Sequence, residues 1–105
     1  MALELPEVEA GPAYGVPAAR VRGSLFVWRG PDKRSIVMKC GLDERSRLCA
    51  AQPDTFSVPA ERQSYATVVV RLDRVEPDQL RPLLGGAWRL SAPPSLARER
   101  AGPPA

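Results

Sequence analysis

Residues 18–40 read AARVRGSLFVWRGPDKRSIVMKC, and this stretch decides the fold class. It holds three runs of strand-forming residues, Ala18 to Arg22, Leu25 to Arg29 and Ser35 to Cys40, parted by Gly23-Ser24 and by Gly30-Pro31-Asp32-Lys33-Arg34. Two connecting residues with glycine first suit a type II′ hairpin turn, which sets the register. The expected pairs are Arg22 with Leu25, Val21 with Phe26, Arg20 with Val27 and Ala19 with Trp28. Placing Arg29 opposite Ser35 then brings Trp28 to Ile36 and Phe26 to Met38. Side chains alternate across a strand, so one face of this meander carries Ala19, Val21, Phe26, Trp28, Ile36, Met38 and Cys40 and is a core face. The other carries Arg20, Arg22, Arg29 and Lys39, with Leu25, Val27 and Val37 between them.

Downstream, Gly41-Leu42-Asp43 ends the sheet, and Asp43 is a suitable N-cap for a helix running to Gln52, which Pro53 stops. Leu48 and Cys49 fall on its inner side. Two more strands follow, Thr55 to Val58 and Thr67 to Leu72, and the segment around Glu61, Arg62, Gln63 and Tyr65 is the longest internal loop. A last helix starts at Glu76-Pro77, since proline is welcome at the first helical position, and its stripe is Leu80, Leu83, Leu84, Ala87 and Trp88. Pro82 and Gly85-Gly86 interrupt that stripe, so the helix is expected to kink or restart at Pro82. Ser95 to Arg100 adds a final turn, and residues 101–105 form a tail. Upstream, a short helical turn through Leu5 ends at Pro6, and Gly11-Pro12 opens a loop that reaches Pro17. The sum is an α+β domain over residues 1–100, an antiparallel sheet of about five strands with helices packed on one face and the other face open.

The 105 residues suffice for one domain, which buries roughly 65% of its unfolded surface and leaves little volume for a deep catalytic cleft. No run of 18 apolar residues exists, and Glu4, Glu7 and Glu9 stand where a signal peptide needs a positive start, so a cytoplasmic protein with no membrane contact is expected. Cys40 and Cys49 are too few for a disulfide framework and are read as small apolar fillers. Histidine is absent, which disfavours Ser-His-Asp and His-dependent metal chemistry together. The net charge of +3 is uneven: residues 20–47 hold eight cations against three anions.

Several short segments follow one another along the chain: Leu5-Pro6-Glu7-Val8-Glu9, Tyr14-Gly15-Val16-Pro17-Ala18, Arg20-Val21-Arg22-Gly23, Leu42-Asp43-Glu44-Arg45, Pro53-Asp54-Thr55-Phe56, Val70-Arg71-Leu72-Asp73 and Ala87-Trp88-Arg89-Leu90-Ser91-Ala92-Pro93. In their order they resemble the MmcQ/YjbR family. The resemblance implies a frataxin-like (CyaY) sandwich and DNA binding through a double-wing arrangement. Ala19, Glu61-Arg62 and Ala66-Thr67 depart from the usual family pattern.

Two functional readings follow. In the first, Arg20, Arg22, Arg29, Lys39 and Arg71 on the open face, with Lys33 and Arg34 on the adjacent hairpin tip, form a surface that tracks phosphates. Lone surface charges are usually only solvated; their clustering is what raises this reading level with the ordinary one. No helix suited to reading base edges is apparent, so the expected binding is weak and non-specific, by a monomer, with DNA as the partner. In the second reading the same face is a protein-interaction module, with Leu25, Val27 and Val37 as apolar contacts and arginines as the rim. Trp28 and Trp88 are expected to be buried, and Tyr14 and Tyr65, both in loops, to be exposed. No phosphate-loop, nucleophile-elbow or paired-carboxylate motif occurs, and Glu4, Glu7 and Glu9 make a poor metal site, so no enzyme, cofactor or metal is expected.

Overall fold

Two tight hairpins at the start of the chain set the architecture. A computed structural model describes Leu5, residues 7–30 and residues 34–92. The helical turn expected before Pro6, Lys33, the final turn over Ser95 to Arg100 and the tail at 101–105 lie outside the described residues.

Strand β1 (Val8–Ala13) returns as β2 (Val16–Val21) through Tyr14-Gly15, whose φ values of 54° and 75° are both left-handed and make a type I′ turn. The loop expected from Gly11-Pro12 to Pro17 is therefore a hairpin. Its prolines are tolerated because Pro12 faces Pro17 directly, next to the closing Ala13–Val16 pair, where antiparallel ladders leave a pair without hydrogen bonds. Pro12 also lies on an edge strand, and Pro17 precedes the point where β2 joins the next strand at Ala18.

The second turn is Arg22-Gly23, with φ of 46° and 85°, so it is type I′ one residue earlier than the expected Gly23-Ser24 bend. Strand β3 (Ser24–Arg29) then pairs Val21 with Ser24 and Arg20 with Leu25, and after a bulge Ala19 with Val27 and Ala18 with Trp28. Phe26 is the extra residue. The bulge turns both Phe26 and Val27 toward the helices and sends Leu25 and Trp28 to the opposite side. The four pairs expected across this hairpin are thus replaced, and Trp28 leaves the core face assigned to it.

Strand β4 (Ser35–Lys39) continues the slip, pairing Val27 with Met38, Trp28 with Val37 and Arg29 with Ile36. Helix α1 (Leu42–Ala51) has Gly41 at its N-cap with no side-chain cap, so Asp43 acts within the first turn on the helix dipole rather than as the cap. Strand β5 (Phe56–Ser57) and a 3-10 turn at Ala60–Arg62 lead to β6 (Thr67–Arg71). Helix α2 (Pro77–Ser91) runs unbroken through Pro82, whose ring sits on the exposed side. The sheet has six strands in the order β1-β2-β3-β4-β6-β5, one more than expected.

Both helices cover one face, α2 against β3 and β4, α1 against β5 and β6. There Leu80, Leu84, Ala87 and Trp88 pack on Val21, Phe26, Met38, Val68 and Val70. A smaller cluster, Trp28, Val37 and Val69, forms on the other face with Val16, Ala18 and Leu25 partly buried around it. No helix among the described residues is long and apolar enough to cross a membrane.

Candidate functional site

The cations singled out in the sequence do not gather into one platform. Arg20 lies on the open side, paired across the ladder with Leu25, and reaches over β1 to donate from Nη2 to the Pro12 carbonyl at 2.9 Å. Arg22, in the hairpin turn, donates from Nε to Glu7 Oε2 at 2.7 Å. Arg29 is exposed but stands opposite Ile36, whose side chain packs on the helix-side core. Arg34 is exposed beside β4, and its carbonyl accepts from the Leu72 amide at 2.7 Å. Arg71 shares the open side, and its guanidinium holds Asp73 at 3.3 Å; that hydrogen bond keeps the Asp73 carboxyl below its ordinary range. Lys39 is half-buried on the open side opposite Thr67. Arg71 and Lys39 face opposite ends of β4 and β6, about 13 Å apart at some 3.3 Å per residue. Lys33 lies outside the described residues.

What the open face does concentrate is aromatic surface around one guanidinium. The Trp28 ring, 8% exposed, meets the Tyr14 ring edge-on, with centroids 5.9 Å apart and planes at 60°. The Arg62 guanidinium carbon lies 5.2 Å from the Trp28 centroid and 5.1 Å from that of Tyr65. Tyr14 and Tyr65 are 81% and 57% exposed, as their loop positions led one to expect, while Trp28 and Trp88 are buried. Leu25, Val27 and Val37 form no exposed apolar patch: Val27 and Val37 are buried on opposite faces, and only Leu25 is half-buried at the surface.

Arg62 and Arg45 are the residues the sequence did not single out. Arg62 Nε donates to Thr67 Oγ1 at 3.4 Å, which ties it to β6. Arg45, from α1, donates through Nη1 to the carbonyls of Tyr65 (2.7 Å) and Thr67 (3.2 Å), and through Nη2 to that of Gln63 (3.2 Å). Gln63 Nε2 in turn donates to the Val58 carbonyl at 3.1 Å. The Tyr65 carbonyl also accepts from the Thr67 amide at 2.9 Å, and through these bonds α1 fixes the loop that carries Arg62 and Tyr65 over the sheet. A basic residue near a tyrosine in the loop after Pro59 was the one local signal for Arg62, and Arg45 was marked only as part of the segment Leu42-Asp43-Glu44-Arg45.

Between these groups lies a cleft of about 600 Å³, lined by Tyr14, Ser24, Leu25, Trp28, Lys39, Arg62, Tyr65, Ala66, Thr67, Leu90 and Ser91. Its charged residues, Lys39 and Arg62, are both cationic. Ser24, Thr67 and Ser91 add hydroxyls. A smaller cavity of about 310 Å³ lies on the other side of the same stack, by Val16, Gly30, Pro59 and Val69. The Cys40 thiol is elsewhere, buried on the helix side near Glu44, and burial followed by the Glu44 charge pushes it up to about 11. The cleft therefore offers stacking surfaces, positive charge and hydrogen-bonding hydroxyls. Among the described residues no three cysteine or acidic side chains converge to hold a metal ion.

The family described as YjbR matches the chain over residues 3–90. No curated protein sequence and no solved structure matches it.

Proposed function

The chain belongs to the YjbR family, and from that premise we propose that it is a non-enzymatic DNA-binding protein, a cytoplasmic monomer whose open sheet face receives the nucleic acid. The observation that carries this reading is the cleft itself, in which the charged residues Lys39 and Arg62 are both positive and sit between two exposed tyrosines. Cations flanked by aromatic rings suit a polyanion that also has flat apolar groups to bury. Arg20 extends the positive track along β2, while Arg22 and Arg71 are engaged by Glu7 and Asp73 and contribute less. Histidine is absent, and the cleft lining holds no carboxylate or thiol, which favours binding over catalysis.

A salt titration of fluorescein-labelled DNA by anisotropy tests it. Three phosphates met by Arg20, Lys39 and Arg62 give log affinity a slope against log salt of roughly −2 to −3. A Lys39→Ala variant flattens that slope by nearly one. Absence of binding even at low salt overturns the reading.

A further inference from the structure

We infer that the cleft between Tyr14 and Tyr65 takes an unpaired nucleobase, its phosphate held by Lys39, so that the protein prefers single-stranded DNA to duplex; the inference rests on the nucleic-acid reading and names the form of the ligand. Tyr14, Trp28, Arg62 and Tyr65 form one continuous layer of ring and guanidinium contacts at 5.9, 5.2 and 5.1 Å. Of its interior members Trp28 is buried and Arg62 half-buried, whereas its two ends, Tyr14 and Tyr65, present ring surface to water. Of the five exposed large apolar residues among those described, Tyr14, Tyr65 and Leu90 border this cleft. Such clustering marks a surface that awaits an apolar partner.

The partner must be flat, because the exposed groups are rings beside a planar guanidinium, and anionic, because both charged lining residues are cations. A cleft of about 600 Å³ is within the range that holds a nucleotide-sized ligand. Bases in a duplex are already stacked on both faces and have none to offer Tyr65. Major-groove reading is equally unsuited, since both helices pack on the other face of the sheet and only the last residues of α2, Leu90 and Ser91, reach the cleft. The loop that presents Tyr65 is held by three hydrogen bonds from Arg45, so its ordering cost is met before the strand arrives.

The test uses the full chain with a fluorescein-labelled oligo(dT) and a duplex of the same length, at low salt. The single strand is expected to bind at least tenfold more tightly and to quench tryptophan emission, through Trp28, since Trp88 is fully buried. Tyr65→Ala is expected to weaken single-strand binding about 5- to 150-fold. Tyr65→Phe, which keeps the ring, is expected to stay within about twofold, and duplex binding is expected to be unmoved by either change. Duplex binding as tight as single-strand binding overturns the inference and leaves the DNA-binding reading standing. So does a single-strand preference that survives Tyr14→Ala and Tyr65→Ala together. If neither oligonucleotide binds, the underlying reading fails and takes the inference with it.

Discussion

The Arg62 guanidinium lies against the Trp28 ring, 5.2 Å from its centroid, and so makes a polar loop the lid of an apolar cluster on the open side of the sheet. Trp28 is only 8% exposed, and Arg62 belongs to its cover. Arg62→Ala is expected to wet the indole and shift tryptophan emission to the red, because Trp88 stays dry on the other face. Stability is expected to fall by about 0.5–2 kcal/mol in urea unfolding. Arg62→Lys keeps charge but not the planar stack, and recovers only part of that loss. An unchanged emission maximum in Arg62→Ala would show that the lid is not what covers Trp28.

The legibility of this arrangement in the sequence followed from how local its causes are. The alternation of β4 and β6 was readable because Met38 and Val70 face one way and Val37 and Val69 the other, with no irregularity between. The α2 stripe was readable through Pro82 for the same reason. In β3 the run Leu25-Phe26-Val27-Trp28 is apolar throughout, so periodicity could not say where the bulge falls, and a slip of one residue moved Trp28 to the other face. Pro12 and Pro17 read as loop residues until their mutual pairing is known. The site was the least legible part, because Arg62 is placed by Thr67 and the loop by Arg45, contacts set by tertiary geometry.

Gly30 is buried, and its amide donates to the Ser35 carbonyl at 2.9 Å. A methyl group there would overlap Ser35 Oγ and lie 3.2 Å from Ser35 O. Gly30→Ala is therefore expected to cost about 1–3 kcal/mol by overpacking. Ser35 Oγ is buried and has no hydrogen-bond partner among the described residues, so Ser35→Ala alone is expected to be close to neutral. The double variant is expected to recover at least about 0.5 kcal/mol relative to the sum of the singles. Strict additivity in urea unfolding would place the clash on the backbone alone.

Gly85 and Gly86 sit inside α2, where glycine carries an entropic cost and no compensating contact. A Cβ at either position meets nothing within 4 Å. Gly85→Ala and Gly86→Ala are each expected to raise stability by about 0.5–1 kcal/mol, and their effects to add. The urea midpoint should move up with an unchanged m-value; a fall in either variant means that α2 packs more closely there than its open space indicates.

Cys40 ties stability to alkaline pH. Its thiol is 2% exposed and is pushed from 9.0 up to about 11 by burial and by Glu44, so the folded chain holds the proton more tightly than the unfolded one. The contribution is fully present below the unfolded value near 9.0 and is lost as pH rises toward 11. Tyrosines and lysines also titrate there, so the informative quantity is a difference between variants. Cys40→Ala is expected to lower stability at pH 8, where it opens a small cavity, and to narrow that deficit by pH 10.5. Alkylation supplies an independent check, since a buried thiol that ionises late is inert. At pH 8 the folded protein is expected to take iodoacetamide at half-buried Cys49 and to modify Cys40 only on unfolding. Equal rates at the two thiols would mean that Cys40 is not sealed in the helix-side core, and that the pH dependence has another source.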